Sequence, residues 1–150
     1  DTSFEKAIAD TGDAAARANM LLGAHLAGAA IEHSMLGAAH ACANPLTARF
    51  GVTHGVAVGL LLPHVVRFNA REGMNPYSSI AADAESLARR IEAMLDAAGL
   101  PRSLTALNIR RDALADLARE AAAQWTARFN PRPLTAEDML TLYSAAMDPD

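Results

Sequence analysis

Cysteine, lysine and tryptophan occur once each in these 150 residues, and β-branched aliphatic residues are scarce: 5 Val and 5 Ile stand against 35 Ala and 18 Leu. The lone Cys42 excludes an internal disulfide framework and fits a reducing cytoplasm. So few Val and Ile starve a sheet of the side chains that pack on its faces, whereas Ala and Leu favour helix; the composition predicts an all-α chain. Basic patches are also lacking. The 12 Arg and 1 Lys are scattered and the net charge is -4, which argues against a phosphate-binding, nucleic-acid surface. No apolar run is long enough to cross a membrane, since Asn19 to Ile31 is broken by His25 and Gly55 to Val66 by Pro63 and His64. No segment reads as a secretory signal. Length allows one ordinary domain, 1–150.

What is present is a succession of helix patterns. Asp1 to Asp10 shows neither a cap nor an apolar face and is expected to be poorly ordered. Thr11-Gly12-Asp13 opens a helix through Met20, Leu21, Leu22, Leu26 and Ile31, with Gly23, Ala27 and Ala30 recurring at spacings of three and four; this helix is expected to be packed on all sides. A second stretch, Met35 to Phe50, meets Asn44-Pro45, where a kink or stop is expected. Thr53 is placed to cap a third, His54 to Phe68, which Pro63 should bend or end.

Asn69 to Ser79 reads as a loop. Leu87, Ile91, Met94, Leu95 and Ala98 then form a stripe that stops at Gly99 and Pro101. Leu114, Leu117, Ala121 and Trp125 share helical spacing before the break Phe129-Asn130-Pro131-Arg132-Pro133, and Thr135 with Asp138 forms a capping-box-like start for the last helix. The expected product is an array of five or six helices.

Candidate chemistry concentrates in five histidines at 25, 33, 40, 54 and 64, all in the first half. His25, His33 and His64 read as core or boundary residues. His40 and His54 differ, because they lie on two consecutive helices whose doubling back would bring the imidazoles together. His54 also sits in a first turn, where the positive end of the helix dipole favours the neutral ring that a metal ligand must be. Two imidazoles are still an incomplete divalent-metal site, which ordinarily has three or more protein ligands. No His-Glu-x-x-His, Cys-x-x-Cys, Asp-x-x-x-His or Gly-x-Gly-x-x-Gly occurs, and no serine nucleophile elbow either. Cys42, flanked by alanines, reads as a small buried residue.

The segments Gly37-Ala38-Ala39-His40-Ala41-Cys42-Ala43-Asn44-Pro45-Leu46, Thr53-His54-Gly55-Val56-Ala57 and Leu61-Leu62-Pro63-His64-Val65-Val66-Arg67-Phe68-Asn69 strongly resemble the iron-containing alcohol dehydrogenases, in their C-terminal helical domain. Gly99-Leu100-Pro101-Arg102-Ser103-Leu104 and Phe129-Asn130-Pro131-Arg132-Pro133-Leu134-Thr135 extend the likeness, which covers nearly the whole chain from about Asp13. The resemblance implies the C-terminal domain of a dehydroquinate synthase-like fold. It also implies His40 and His54 as two ligands of a divalent metal, iron(II) or in some members zinc.

The family's other two ligands, an Asp and a His, lie on an earlier helix that this sequence does not contain. The same resemblance assigns NAD or NADP to an N-terminal α/β domain outside these residues, with the active site in the cleft between the two domains. Asn44 stands where many members have a cleft-lining histidine; it keeps hydrogen bonding but cannot titrate near neutrality.

The expected activity is NAD(P)-dependent interconversion of an alcohol and an aldehyde or ketone. This chain would supply two metal ligands and one wall of the pocket, and would be inactive alone. Its expected partners are a small alcohol or aldehyde and the N-terminal domain, with no nucleic acid and no membrane, and a homo-oligomer is compatible with the sequence. Two other readings stand beside this one: a non-catalytic helical binding or structural module, and a reductase acting on an unsaturated oxo acid, similar to maleylacetate reductase.

Overall fold

Residues 2–148 are described by a computed structural model in which seven α-helices and four short 3-10 segments follow one another, with no strand among the described residues. The α-helices are α1 (Thr2–Ala9), α2 (Ala14–Ser34), α3 (Ala38–Phe50), α4 (His54–Asn69), α5 (Ala84–Ala97), α6 (Leu114–Ala122) and α7 (Ala136–Ala145). One helix more than expected arises at the chain start. Instead of lacking order, Thr2–Ala9 is helical and packs on α2 and α5. Polar contacts tie it down: Arg90 of α5 lies 2.6 Å from Glu5, and Asn19 of α2 donates to Ser3 at 3.2 Å.

Short polar residues set the helix starts. The Asp13 side chain accepts from the Ala16 N–H, Asp83 from Ser86, and Thr135 with Asp138 forms the reciprocal box read in the sequence. Thr53 occupies the expected cap position, but its hydroxyl makes no bond to the helix. Gly99, at φ +64, closes α5 in the left-handed conformation that glycine adopts at little cost.

Neither proline stops its helix. Both α3 and α4 continue past Pro45 and Pro63. Each ring removes one ladder hydrogen bond and crowds a carbonyl, but each is itself buried within a helix whose burial outweighs that loss. Leu46, Leu60 and Leu61, all at most 1% exposed, flank the two sites, and burying one such side chain is worth ~1.5–3 kcal/mol.

The core lies where α3, α4, α6 and α7 meet, around Leu46, Leu61, Leu117, Met139, Leu142 and Tyr143. Helix α5 packs on the other side of α4. Gly59 makes this approach close, since a Cβ there would stand 3.2 Å from Leu95 Cδ2. Arg67 reaches across to Glu85 and Glu92 at 2.7 and 2.6 Å, and hydrogen bonds from Arg67 and then Arg89 hold the Glu85 carboxyl down to about 2.

Two apolar features depart from expectation. Helix α2 is not packed on all sides: Leu21, Leu22 and Leu26 are 72%, 56% and 59% exposed, and only Ala16 of the helix is buried. Its substantial packing among the described residues is with α1, which reaches only part of its length. Trp125 does not extend the α6 stripe either. It begins a 3-10 segment, Trp125–Phe129, and is exposed, its ring edge-on to Phe129.

Candidate functional site

His40 is the third residue of α3 and His54 the first of α4. Ten residues of helix carry the chain about 15 Å from His40 to Phe50, and four residues reach back at most about 14 Å when extended, so Gly51–Thr53 must run back along α3. Gly51 starts that reversal at φ +66, its N–H bonded to the Thr47 carbonyl, and Val52 anchors it in the core. The imidazoles end with ring centroids 5.3 Å apart and planes inclined by 48°.

This separation fits two ligands of one ion. With a metal–nitrogen distance of about 2.1 Å and a centroid about 1.1 Å further out, two imidazoles at a tetrahedral angle have centroids about 5 Å apart. The pair also has suitable electrostatics. Burial, followed by the nearby His54, lowers the pKa of His40 and so favours the neutral ring that coordinates. Among the described residues no third His, Cys, Asp or Glu completes the set.

The start of α3, which carries His40, is fixed by polar groups far apart in sequence. Asn69, 2% exposed at the end of α4, pairs with Asn130 through both amides: Asn130 donates to Asn69 at 2.8 Å and Asn69 to Asn130 at 3.2 Å. Asn130 also donates to the Arg132 carbonyl at 2.9 Å, while its oxygen accepts from the Ala38 N–H, an otherwise orphan donor of the first turn of α3, at 3.3 Å. Tyr77 accepts a further bond from Asn69. Gly37 belongs to this arrangement, because a Cβ there would lie 3.2 Å from Asn130 Oδ1. Further along α3, the buried Tyr143 hydroxyl donates to the Cys42 carbonyl at 2.6 Å.

Asn44 is partly buried one turn beyond His40, and its Nδ2 donates to Gln124 Oε1 at 3.0 Å. A cavity of about 420 Å³ opens beside His40, with Ile31, Met35, Val58, Leu62, Tyr77 and Phe129 among its lining residues. Sequence reasoning missed Asn69, Asn130 and Gln124 as parts of this region. The first two lay in quoted motifs but without a partner, and no local signal marks Gln124.

The remaining candidates separate cleanly. His25 and His33 are exposed on α2, not core residues, because no described helix covers that part of it. His64 is partly buried between α4 and α5, and its pKa is lowered by burial and then by Arg67, with Glu92 opposing and Arg102 adding to the effect. Cys42 is fully buried, 3.4 Å from Met139 sulfur, and burial pushes its thiol up to about 12. No described helix is long and apolar enough to cross a membrane.

Comparison with known proteins returns the same region of one family. The model described as "Fe-containing alcohol dehydrogenase family, C-terminal" matches residues 2–147. Lactaldehyde reductase of Escherichia coli K12 is 34% identical over 148 residues, covering 90% of this chain and 39% of the relative. Among solved structures, a 1,3-propanediol oxidoreductase superposes with TM-score 0.85 at 27% identity, covering 95% of this chain and 41% of its own. A sulfoacetaldehyde reductase from Bifidobacterium kashiwanohense, solved in complex with NAD+, gives 0.81 at 28% identity, covering 97% and 40%. The chain thus spans about 40% of the length of the proteins it is similar to.

Proposed function

Since the chain belongs to the iron-containing alcohol dehydrogenase family and corresponds to its C-terminal portion, we propose that it is the metal-holding part of an oxidoreductase that uses NAD or NADP to interconvert an alcohol and an aldehyde or ketone. The observation that carries this reading is the 5.3 Å pairing of His40 and His54 at the start of two consecutive helices. These two would be the chain's ligands to a divalent cation, iron(II) or zinc. When bound, such a cation supplies Lewis acidity toward an alcohol or carbonyl oxygen.

This chain's own residues hold and shape the site. The Asn69–Asn130 pair fixes the first turn of α3 and thereby His40, while the backbone run from Gly51 to Thr53 sets His54 opposite it. The raised neutrality of His40 keeps a lone pair available without first shedding a proton. Asn44 offers hydrogen bonds beside the pair but no proton relay, because an amide does not titrate in this range.

The remaining ligands and the nucleotide site would come from the part of the protein that the relatives possess and these residues lack. The bare leucines of α2 support this, because an apolar face of that extent signals an absent packing partner. Titration with zinc, or with iron(II) under anaerobic conditions, tests the assignment. Either His40→Ala or His54→Ala is expected to weaken binding at least tenfold with the helical fold intact. Binding indifferent to both substitutions would refute it.

A further inference from the structure

Resting on that reading, we propose that α2 is a docking helix for the portion that precedes this stretch in the relatives: one helix of that portion lies along each of its two bare sides, and one of the two closes the cavity beside His40. At 100° per residue α2 has three distinct sides. Helix α1 takes the side of the buried Ala16 and of Asn19, which donates to Ser3. Leu22 and Leu26, 56% and 59% exposed, mark the second side. Leu21, 72% exposed, heads a third that continues through Ala24, Gly28 and Ile31 to Met35 at spacings of three and four.

The residues of α2 suit a covered helix. From Ala18 to Ile31 no Asp, Glu, Lys or Arg occurs, whereas the 14 residues of α5 include Glu85, Arg89, Arg90, Glu92 and Asp96. A helix that is apolar around its circumference belongs inside a protein. A Cβ at Gly23 or Gly28 would meet nothing within 4 Å, so the backbone there stands bare for the close approach of a neighbour. Surface area agrees. The chain, of 15.8 kDa, exposes 8513 Å², about 1,200 Å² more than a folded monomer of that mass, and a stable interface takes about 800 Å² from each partner.

Placement selects the occupant. Ile31 and Met35, at the far end of the Leu21 side, line the same cavity of about 420 Å³ as His40, and only Leu36 and Gly37 separate Met35 from α3. A helix along this side therefore ends at the His40–His54 pair, which no third ligand completes among the described residues. The relatives possess such a segment's worth of chain, since these residues match their C-terminal portion and cover about 40% of their length. A second copy seated here would shut that portion out. Arg17 and Glu32 stand about 22 Å apart at the two ends of the Leu21 side. The helix seated there is accordingly apolar in its middle, acidic over Arg17 and basic over Glu32.

The test is cysteine accessibility in the enzyme carrying these residues together with the preceding portion. Leu21→Cys and Leu26→Cys are compared with Ile80→Cys, because Ile80, 71% exposed between α4 and α5, matches Leu21 in this chain but lies off the docking sides. Alkylation by iodoacetamide, read site by site by mass spectrometry, should be at least about tenfold slower at 21 and 26 than at 80. Equal rates would overturn the proposal, and so would protection that vanishes on dilution to the monomer, which would make a second copy the occupant. Should a variant not fold, His25 of the wild type gives the same reading: exposed in this chain, it should react with diethyl pyrocarbonate at least about tenfold more slowly in the folded enzyme than in urea, and equal rates would count against docking. Free reaction at 21 and 26, with metal binding that still needs His40 and His54, would sink the docking helix alone. Protection together with metal binding indifferent to both histidines would support the docking surface and remove the dehydrogenase reading.

Discussion

Replacing Asn130 by alanine should destabilise the fold by about 3 kcal/mol, a figure that follows from four hydrogen bonds. The two short ones, at 2.8 Å to Asn69 and 2.9 Å to the Arg132 carbonyl, are worth ~1 kcal/mol each. The longer ones, accepted from Asn69 at 3.2 Å and from the Ala38 N–H at 3.3 Å, contribute ~0.5 kcal/mol each. Asn69 is 2% exposed and cannot replace its lost partner with bulk water. With a urea slope of about 2 kcal/mol per molar, the unfolding midpoint followed by circular dichroism should drop by about 1.5 M. Asn130→Asp separates the bonds: it keeps the acceptor for Ala38 but loses both donated bonds and sets a carboxylate against Asn69 Oδ1. It should lose at least half as much stability. Because Ala38 lies two residues before His40, metal affinity should fall with stability. A midpoint shift below about 0.5 M at unchanged slope would refute the idea that this polar pair locks the start of α3.

Two further outcomes follow from burial. Cys42 should react with an aromatic disulfide reagent at least a hundredfold more slowly in the native protein than in urea, because its thiol is both inaccessible and raised to about 12; native reactivity close to the unfolded rate would contradict its place in the core. His64 is held neutral in the folded state by burial and by Arg67 and Arg102 against the opposing Glu92, whereas the unfolded chain takes up a proton near 6.5. Stability therefore falls as pH drops through 6.5 toward the lower folded-state value, and His64→Gln should lose less stability than wild type between about pH 7.5 and 5.5. Parallel pH profiles for the two proteins would count against it.

The parts legible in the sequence were those decided locally. Asp13, Thr135 with Asp138, and Gly99 act within a few residues of themselves, and the caps and stop they signalled are present. The stripe Leu87, Ile91, Met94 and Leu95 is local in the same sense, and its helix formed as read. Pro45 and Pro63 do not stop their helices, because the local rule counts a lost hydrogen bond and not the burial of the neighbouring turns, which here decides against a stop. An apolar run such as Met20 to Ile31 says only that a face favours burial. It carries no information about the partner, so the same leucines that suggested a helix packed on all sides stand largely exposed.

The candidate site divides along the same line. Residue type and order sufficed to single out His40 and His54, yet their proximity depends on the backward run of Gly51–Thr53, which places the start of α4 against the start of α3 and not against its end. Asn69 and Asn130 are 61 positions apart and Asn44 and Gln124 are 80 apart. A lone amide in a loop or on a helix has no periodicity, and its chemistry is set by which of its four hydrogen-bonding positions another residue occupies. Only after the fold has occupied one position on Asn44 is the direction of its remaining acceptor fixed.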